Sequence, residues 1–553
     1  MNEKTNIFYG TAFLLGILAV LIGSILILSY VPPVSKDALT HHLAVPKLYL
    51  KHGGMYEIPF MEFSYYPINL ELIYSIPLYF GNDIIPKYIH FAFALLTAWL
   101  IFNYLKPRTN VVYAVLGVLL FLSIPIIVKL SITVYVDLGL IFFSTASLLL
   151  LLKWVENGFK NRFLLLSAIC CGLAMGIKYN GLVTFFLLTL FVPFLHSRHT
   201  KDNKAGAVIS LRYGALFFAI AVLFFAPWMV RNYIWTGNPV YPLYDGLFNP
   251  ENSIHRNTIG LFTYRNMVYH EKWWQIALLP IRVFFEGQDG NPQYFDGRLN
   301  PFLLLLPLFA FYRIGKESDT IRMELKAMLC FAVLFFAFSF FSSGLRVRYI
   351  SPIIPPLVIL SIFGLRRMVL QVKALRNGLL SDIGLAGIGL IICITLWLDF
   401  CYIVNQYRYI NPFSYISGAV SRDEYIERYR PEYPVIRYIN ENVAPCDRIL
   451  FLFMGNRGYY CNREYVFDVV ANRSSLHQLV KRSRKPEQIL EGLKSNGITH
   501  MLIRYDIFDG WVKDEDHFTV REQELLAQFF EKHVELLYFK WGYGVSRLKL
   551  SSM

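Results

Sequence analysis

The sequence predicts an α-helical polytopic membrane protein that ends in a soluble α/β domain. Three observations carry that expectation. Of 553 residues, 55% are hydrophobic and only 17% are charged, against roughly 45–50% and about 25% in soluble domains. The apolar residues lie in long blocks, and the short loops between them are basic. The last stretch of chain instead alternates helix-like and strand-like periodicities.

Windows long enough to cross about 30 Å of hydrocarbon fall at 8–30, 85–105, 110–128, 134–152, 163–177, 179–196, 213–234, 299–312, 327–342, 350–365 and 382–403. About eleven transmembrane helices are therefore expected, with an uncertain seam near Gly176. The first window follows MNEKTN. Its apolar run is too long for a signal-peptide core, so it reads as a retained span.

With a cytoplasmic N-terminus, every inner loop is basic. They hold Lys106 and Arg108; Lys153, Lys160 and Arg162; Arg198, Lys201, Lys204 and Arg212; Arg313, Lys316, Arg322 and Lys326; and Arg366, Arg367, Lys373 and Arg376. Positive charge retained on the cytoplasmic side orients membrane proteins. The net charge of +14 is accordingly read as topology and contact with membrane lipids, not nucleic-acid binding. An odd number of spans leaves the C-terminal end outside. The expected organisation is a membrane domain over 1–405, with outer loops 31–84 and 235–298, and an extracytoplasmic α/β domain over 406–553. The first loop is expected to hold two surface helices, Asp37 to Lys51 and Pro67 to Phe80.

In the tail, PEYPVIRYINENV reads as a helix, RILFLF and YVFDVV as strands, and SSLHQLVKRSRKPEQILEGLKSNG as helical. ITHMLIRY reads as a strand, TVREQELLAQFFEKH as a helix, and VELLYFKWGYGVSRLKL as one or two strands. That order suggests a small three-layer domain. Gly455-Asn-Arg-Gly458 is too short for a dinucleotide fingerprint. Seven cysteines show no zinc spacing; Cys446 and Cys461 could pair in an oxidising compartment.

Burying a charge in hydrocarbon costs a few kcal/mol or more, so ionisable groups at the outer span ends carry the functional signal. These are Asp37 after span one, Asp137 in SITVYVDLGL, Lys178 in GIKYNG, Arg231 in PWMVRN, and Arg346 and Arg348 in GLRVRYISPIIPP. Two carboxylates facing four cations suit a negatively charged group held beside a proton acceptor, and arginine's planar fork suits phosphate. Each residue also has a plainer reading. Lys178 could snorkel to the interface, Arg231 could anchor a helix end, and Asp137 could serve as a structural ion partner. His41 and His42 follow Asp37 closely. His41 could orient Asp37 or touch the acceptor, and Tyr65 and Tyr66 are further candidate substrate contacts. Two or three ligands on one helix make a poor metal set, so no cofactor is expected, a divalent metal being the alternative left open. His255, His270 and Glu271 are too scattered to form a site.

Together PPVSKDALTHHLAVPKLYLKHG, FSYYPINLELIY, YVDLGL, GLAMGIKYNGL, PWMVRNYIWTGNPVYPL and RVRYISPIIPP resemble the GT-C superfamily of polyprenyl-phosphate-dependent glycosyltransferases. Among its members the chain is most similar to bacterial relatives of protein O-mannosyltransferases and of the lipid A aminoarabinose transferase. The tail resembles the soluble domain of many such members. The resemblance implies an inverting transfer at the outer face of the inner (plasma) membrane. Its donor would be a polyprenyl-phosphate or polyprenyl-diphosphate sugar, and its acceptor a lipid, glycan or protein. By position, Asp37 matches the general base and Asp137 the acidic residue that supports it. Lys178 and Arg348 match donor-phosphate contacts, with Arg346 and Arg231 as further candidates. Two departures stand out. Many relatives have Asp-Glu where this chain has Asp37-Ala38, and Tyr65-Tyr66-Pro67 replaces the Lys-Pro-Pro of the aminoarabinose enzymes. The rival readings are a lipid-linked sugar flippase and a non-catalytic membrane scaffold with a binding tail.

Overall fold

The computed structural model describes residues 3–199, 204–250, 260–340, 344–468 and 474–549. They form two compact units. One comprises Met1–Tyr30, Tyr66–Ile73 and Ile84–Pro412; the other comprises Val31–Tyr65, Tyr74–Asp83 and Phe413–Met553.

In chain order the first helices are α1 (Glu3–Ser29), α2 (Ala44–His52), α3 (Asn69–Tyr79), α4 (Ile85–Arg108), α5 (Val111–Ser123), α6 (Pro125–Ser131), α7 (Asp137–Glu156), α8 (Asn161–Ile177), α9 (Gly181–Ser197) and α10 (Lys204–Thr236). Further along, Phe302–Phe309, Asp319–Phe340, Ile354–Lys373 and Gly378–Ile410 are also helical. Among the described residues, seven helices are long and apolar enough to cross a membrane. The chain is thus a multi-pass membrane protein.

Every apolar window of the sequence contains a helix, but not every helix spans on length and composition alone. The pair α5–α6 bends by 67°. Pro125 opens α6 and drives Ile124 out of helical geometry, with ψ at 128°. Helices α8 and α9 have 17 residues each, about 25 Å. Phe302–Phe309 has only eight, about 12 Å. Among the described residues, length and composition alone give seven spans, or eight with the bent pair counted as one, and do not confirm the expected count of about eleven.

Small residues let the helices approach closely. A Cβ at Gly172 of α8 would lie 2.5 Å from the Ala221 carbonyl oxygen of α10, and one at Gly364 would lie 2.2 Å from that of Leu306. A buried fork joins α4 to the helix Asp319–Phe340. Arg108 donates to both Glu324 oxygens at 2.8 Å, and the Tyr104 hydroxyl donates to the same carboxylate at 2.7 Å.

The first expected surface helix is divided. Ala38–His42 is a π turn, closed by Leu43 N–H donating to Ala38 O at 2.9 Å, and α2 starts at Ala44. Pro46 has no N–H to give the His42 carbonyl, so the ladder breaks there. At the other end Gly53, at φ +83°, caps α2 in the left-handed conformation.

The C-terminal segments form β1 (Arg448–Leu452), β2 (Glu464–Phe467), β3 (Ile498–Arg504), β4 (Val534–Lys540) and β5 (Tyr543–Leu548) in one sheet of order β2-β1-β3-β5-β4. Strand β1 is parallel to β2 and β3; β5 is antiparallel to β3 and β4. Leu450, Leu452, Met501 and Ile503 point to one face. There they pack with Leu476, Leu490, Leu493 and Phe529 from the helices Ser475–Arg482, Pro486–Ser495 and Val520–His533. On the other face Tyr438, from the helix Tyr433–Asn442, stacks on Tyr538 at 4.8 Å. Gly455 and Asn456 take left-handed φ in the loop between β1 and β2, and no helix starts there. The expected strand YVFDVV ends at Phe467, and its last two residues lie outside the described ones. Cys446 and Cys461 are both free; the first is exposed and the second buried.

Candidate active site

Asp137 is the first residue of α7 and is fully buried. A helix N-terminus favours a carboxylate, and His90 shapes this one. The His90 Nε2 accepts the Leu138 N–H at 2.9 Å, and its Nδ1 lies 2.9 Å from the Leu130 carbonyl. The neutral tautomer with its proton on Nδ1 satisfies both contacts. Asp137 Oδ1 accepts a hydrogen bond from Lys178 Nζ at 2.6 Å. Among the described residues, no donor reaches the buried Oδ2.

Lys178 stands in the extended link between α8 and α9, at φ −161° and ψ 144°. The turn is tight: a Cβ at Gly181 would meet the Ala174 carbonyl at 2.5 Å. The link therefore directs the ammonium at Asp137 instead of carrying it on a lipid-facing helix surface. Lys178 lies 5.1 Å from the centroid of the Tyr349 ring, and Arg348 lies 5.3 Å from it. Arg348, 7% exposed, also sits 5.1 Å from the Tyr135 ring. Two cations, one carboxylate and two tyrosines thus form one cluster, with Asp137 and Arg348 buried and Lys178, Tyr135 and Tyr349 half-buried, drawn from α7 and the residues just before it, the α8–α9 link and the segment before Ile354–Lys373.

The segment Tyr66–Ile73 closes against this cluster. The Trp228 indole donates to Asn69 Oδ1 at 2.9 Å, and a Cβ at Gly176 would lie 2.1 Å from Asn69 Nδ2. Glu71, absent from the sequence-based candidates, is 3% exposed and within electrostatic range of Lys178, Asp137 and Arg231. Burial pushes its carboxyl up to about 8, a backbone hydrogen bond and the two cations opposing only in part. The signal was present in the sequence: Glu71 is a lone acid within the apolar run INLELIYSIPLYF. Arg231 donates to the Tyr66 carbonyl at 3.0 Å and to its neighbour Asn232, and it lies within 5 Å of the Trp228 and Trp235 rings. The Tyr66 ring lies 5.2 Å from that of Tyr179.

Arg346 belongs to a neighbouring network. It meets Asp296 at 3.5 Å, and Lys129 donates to the same carboxylate at 3.0 Å. Burial alone would raise the Asp296 carboxyl, but Lys129, the Gly290 N–H and Arg346 outweigh it and hold it below the usual range. In the same loop Glu271 is a structural anchor, bonded to Arg265 at 2.6 Å and Arg282 at 3.1 Å. His270 closes a short helix at φ +54°; His255 lies outside the described residues.

The remaining candidates belong to the second unit. Asp37 is half-buried at the start of the π turn. The His41 ring stacks on Phe63 at 4.4 Å and tilts against His42 at 4.0 Å. Tyr65 is buried and donates its hydroxyl to Glu57 at 2.6 Å. Among the described residues, no group of three or more His, Cys, Asp or Glu side chains is arranged to hold a metal ion.

Residues 78–230 match the family profile described as dolichyl-phosphate-mannose-protein mannosyltransferase. No curated protein matches the chain by sequence. Among solved structures, the chain is similar to ArnT from Cupriavidus metallidurans bound to undecaprenyl phosphate. Identity is 14% and the TM-score 0.57, over 98% of this chain and 99% of that one. It is also similar to the Archaeoglobus fulgidus oligosaccharyltransferase. Against the complex with Zn and sulfate, identity is 11% and the TM-score 0.54, over 94% of this chain and 72% of that one. Against the apo form the values are 12% and 0.50, over 89% and 70%.

Proposed function

From a chain that carries the GT-C fold, we propose that this protein is a membrane glycosyltransferase that moves a sugar from a polyprenyl-phosphate-linked donor onto an acceptor at the extracytoplasmic face. The N-terminus is cytoplasmic and the C-terminal domain extracytoplasmic. The observation that carries this reading is the cluster of half-buried Lys178 with buried Arg348 and Asp137, set at the ends of apolar helices where an uncompensated charge is costly. The bound undecaprenyl phosphate of the ArnT structure supports the donor class.

The chemistry follows from charge. With Glu71 neutral, Lys178, Arg348 and Arg231 outnumber Asp137 by two. A sugar-linked polyprenyl phosphate carries one negative charge, and the phosphate released on transfer approaches two. Cations fixed in a dry site stabilise that growing charge most where it develops. Asp37 acts as the general base on the acceptor hydroxyl, a contribution of roughly 10²–10⁴-fold. Attack opposite the phosphate inverts the anomeric centre without a covalent enzyme intermediate. Asp137 holds Lys178 toward the donor and offers Oδ2 to a substrate hydroxyl. His41, Tyr65 and Tyr66 are assigned to recognition of the acceptor, and Arg346 and Arg231 to the donor phosphate.

The test is transfer by the purified protein from radiolabelled polyprenyl-phosphate sugars extracted from cells that make it. Asp37→Asn should abolish transfer while donor binding persists, and Arg348→Ala should weaken donor binding. Normal turnover by Asp37→Asn would remove the base assignment. Sugar transport without transfer would replace the enzyme with a flippase.

A further inference from the structure

The loop that carries Asp37 and the C-terminal sheet domain fold as one compact unit, and their mutual hydrogen bonds bracket the carboxylate. Before Asp37, the Tyr460 hydroxyl donates to the Pro33 carbonyl at 2.7 Å, and Arg430 Nε donates to the Val34 carbonyl. After it, the Tyr459 N–H donates to the Leu39 carbonyl at 3.2 Å. Further along, Lys47 Nζ donates to the carbonyls of Tyr459 and Cys461 at 2.6 and 3.2 Å, and to Asn462 Oδ1 at 2.8 Å. At the loop's far end Asp83, 4% exposed, accepts from the Tyr459 hydroxyl at 3.2 Å and from Arg422.

The four residues Tyr459–Asn462 thus hold the loop near both ends. They directly follow the Gly455–Gly458 turn, which the sequence marked and no nucleotide fold explains. What they hold is an unusual backbone. A π turn is rare in isolation and persists where its surroundings impose it, and Asp37 is the residue that opens it.

We propose that the C-terminal domain positions Asp37, with Tyr460, Arg430 and the Tyr459 main chain clamping Pro33, Val34 and Leu39 so that the carboxylate is held in one place. The inference rests on Asp37 as general base. Tyr460 and Arg430 are positioning residues, and their loss acts on the chemical step and not on donor binding. A base displaced by about 1 Å can cost on the order of 10²-fold in rate.

The experiment uses the full-length protein in nanodiscs and two readouts. Hydrogen–deuterium exchange over residues 33–43 reports the clamp. Turnover against donor concentration, with the extracted polyprenyl-phosphate sugar fraction, reports the chemistry. Tyr460→Phe and Arg430→Met should each raise exchange in that segment and leave the exchange of β1 and β3 unchanged. They should lower kcat about 10- to 100-fold with the donor KM within about twofold, and Arg430→Lys should recover part of the rate. Unchanged exchange at 33–43 overturns the proposal, as does raised exchange with an unchanged kcat. Asp37→Asn in the same series separates the two levels. If it is inactive while both clamp variants are normal, the positioning role alone falls. If it is fully active, the base assignment falls and takes this inference with it.

Discussion

Asp137→Asn, made alone, leaves the Lys178 ammonium facing a neutral amide in a site with little water. Lys178→Met, made alone, strands a carboxylate that is 0% exposed. Breaking one side of a buried pair costs about 3–5 kcal/mol, because the surviving charge stays buried. Lys178 keeps 17% of its side-chain surface, which puts Asp137→Asn at the lower end, about 3 kcal/mol, and Lys178→Met at the upper end. The double variant has neither charge, and neutral replacement of a buried pair is often close to neutral in stability. With the parent, the three variants define a cycle in which the double variant costs far less than the two single costs combined, a favourable coupling of about 8 kcal/mol. Reversible unfolding in mixed micelles measures it, with sugar transfer measured on the same preparations. The double variant should be nearly as stable as the parent and inactive. Costs that simply add would show that the 2.6 Å contact does not couple the two residues. A stable double variant that transfers sugar at the parent rate would remove Lys178 from the donor site.

Three further outcomes are expected. The Glu71 carboxyl is raised from 4.5 to about 8, so between those values the folded protein keeps a proton that the unfolded chain has lost. Stability should fall by about 1.4 kcal/mol per pH unit across that window, relative to Glu71→Gln. Unfolding at pH 5, 6.5 and 8 checks this, and parallel curves for the two proteins would refute it. Gly172→Ala pushes a methyl to 2.5 Å from the Ala221 carbonyl and should cost about 1–3 kcal/mol, read as a lowered unfolding midpoint. Asp399 accepts from Ser123 at 2.7 Å and from Asn300 at 3.0 Å. Asp399→Leu orphans both donors at about 1–3 kcal/mol each and should leave transfer per folded molecule unchanged.

The apolar blocks and their basic loops were enough to declare a multi-pass helical protein, because the cost of exposing backbone polar groups to lipid leaves few alternatives. The tail's period-2 and period-3.6 segments gave the order of its strands and helices for the same local reason. Individual charges out of place pointed to Asp137, Lys178 and Arg348, since an ionisable group near hydrocarbon is rarely idle. Their partners could not be read from the chain. That Lys178 reaches Asp137 depends on a three-residue link pulled tight by Gly181, and that Arg346 meets Asp296 depends on a loop returning to it. Glu71 looked like one acid on a surface helix until α7, α8 and α10 closed around it and removed its water. The sheet domain's grip on the Asp37 loop joins residues some 400 positions apart, and no periodicity encodes a contact of that range. Local pattern fixed which segments are helix, strand or span; only packing decided which charges are buried, and burial is what gives each of them its chemistry.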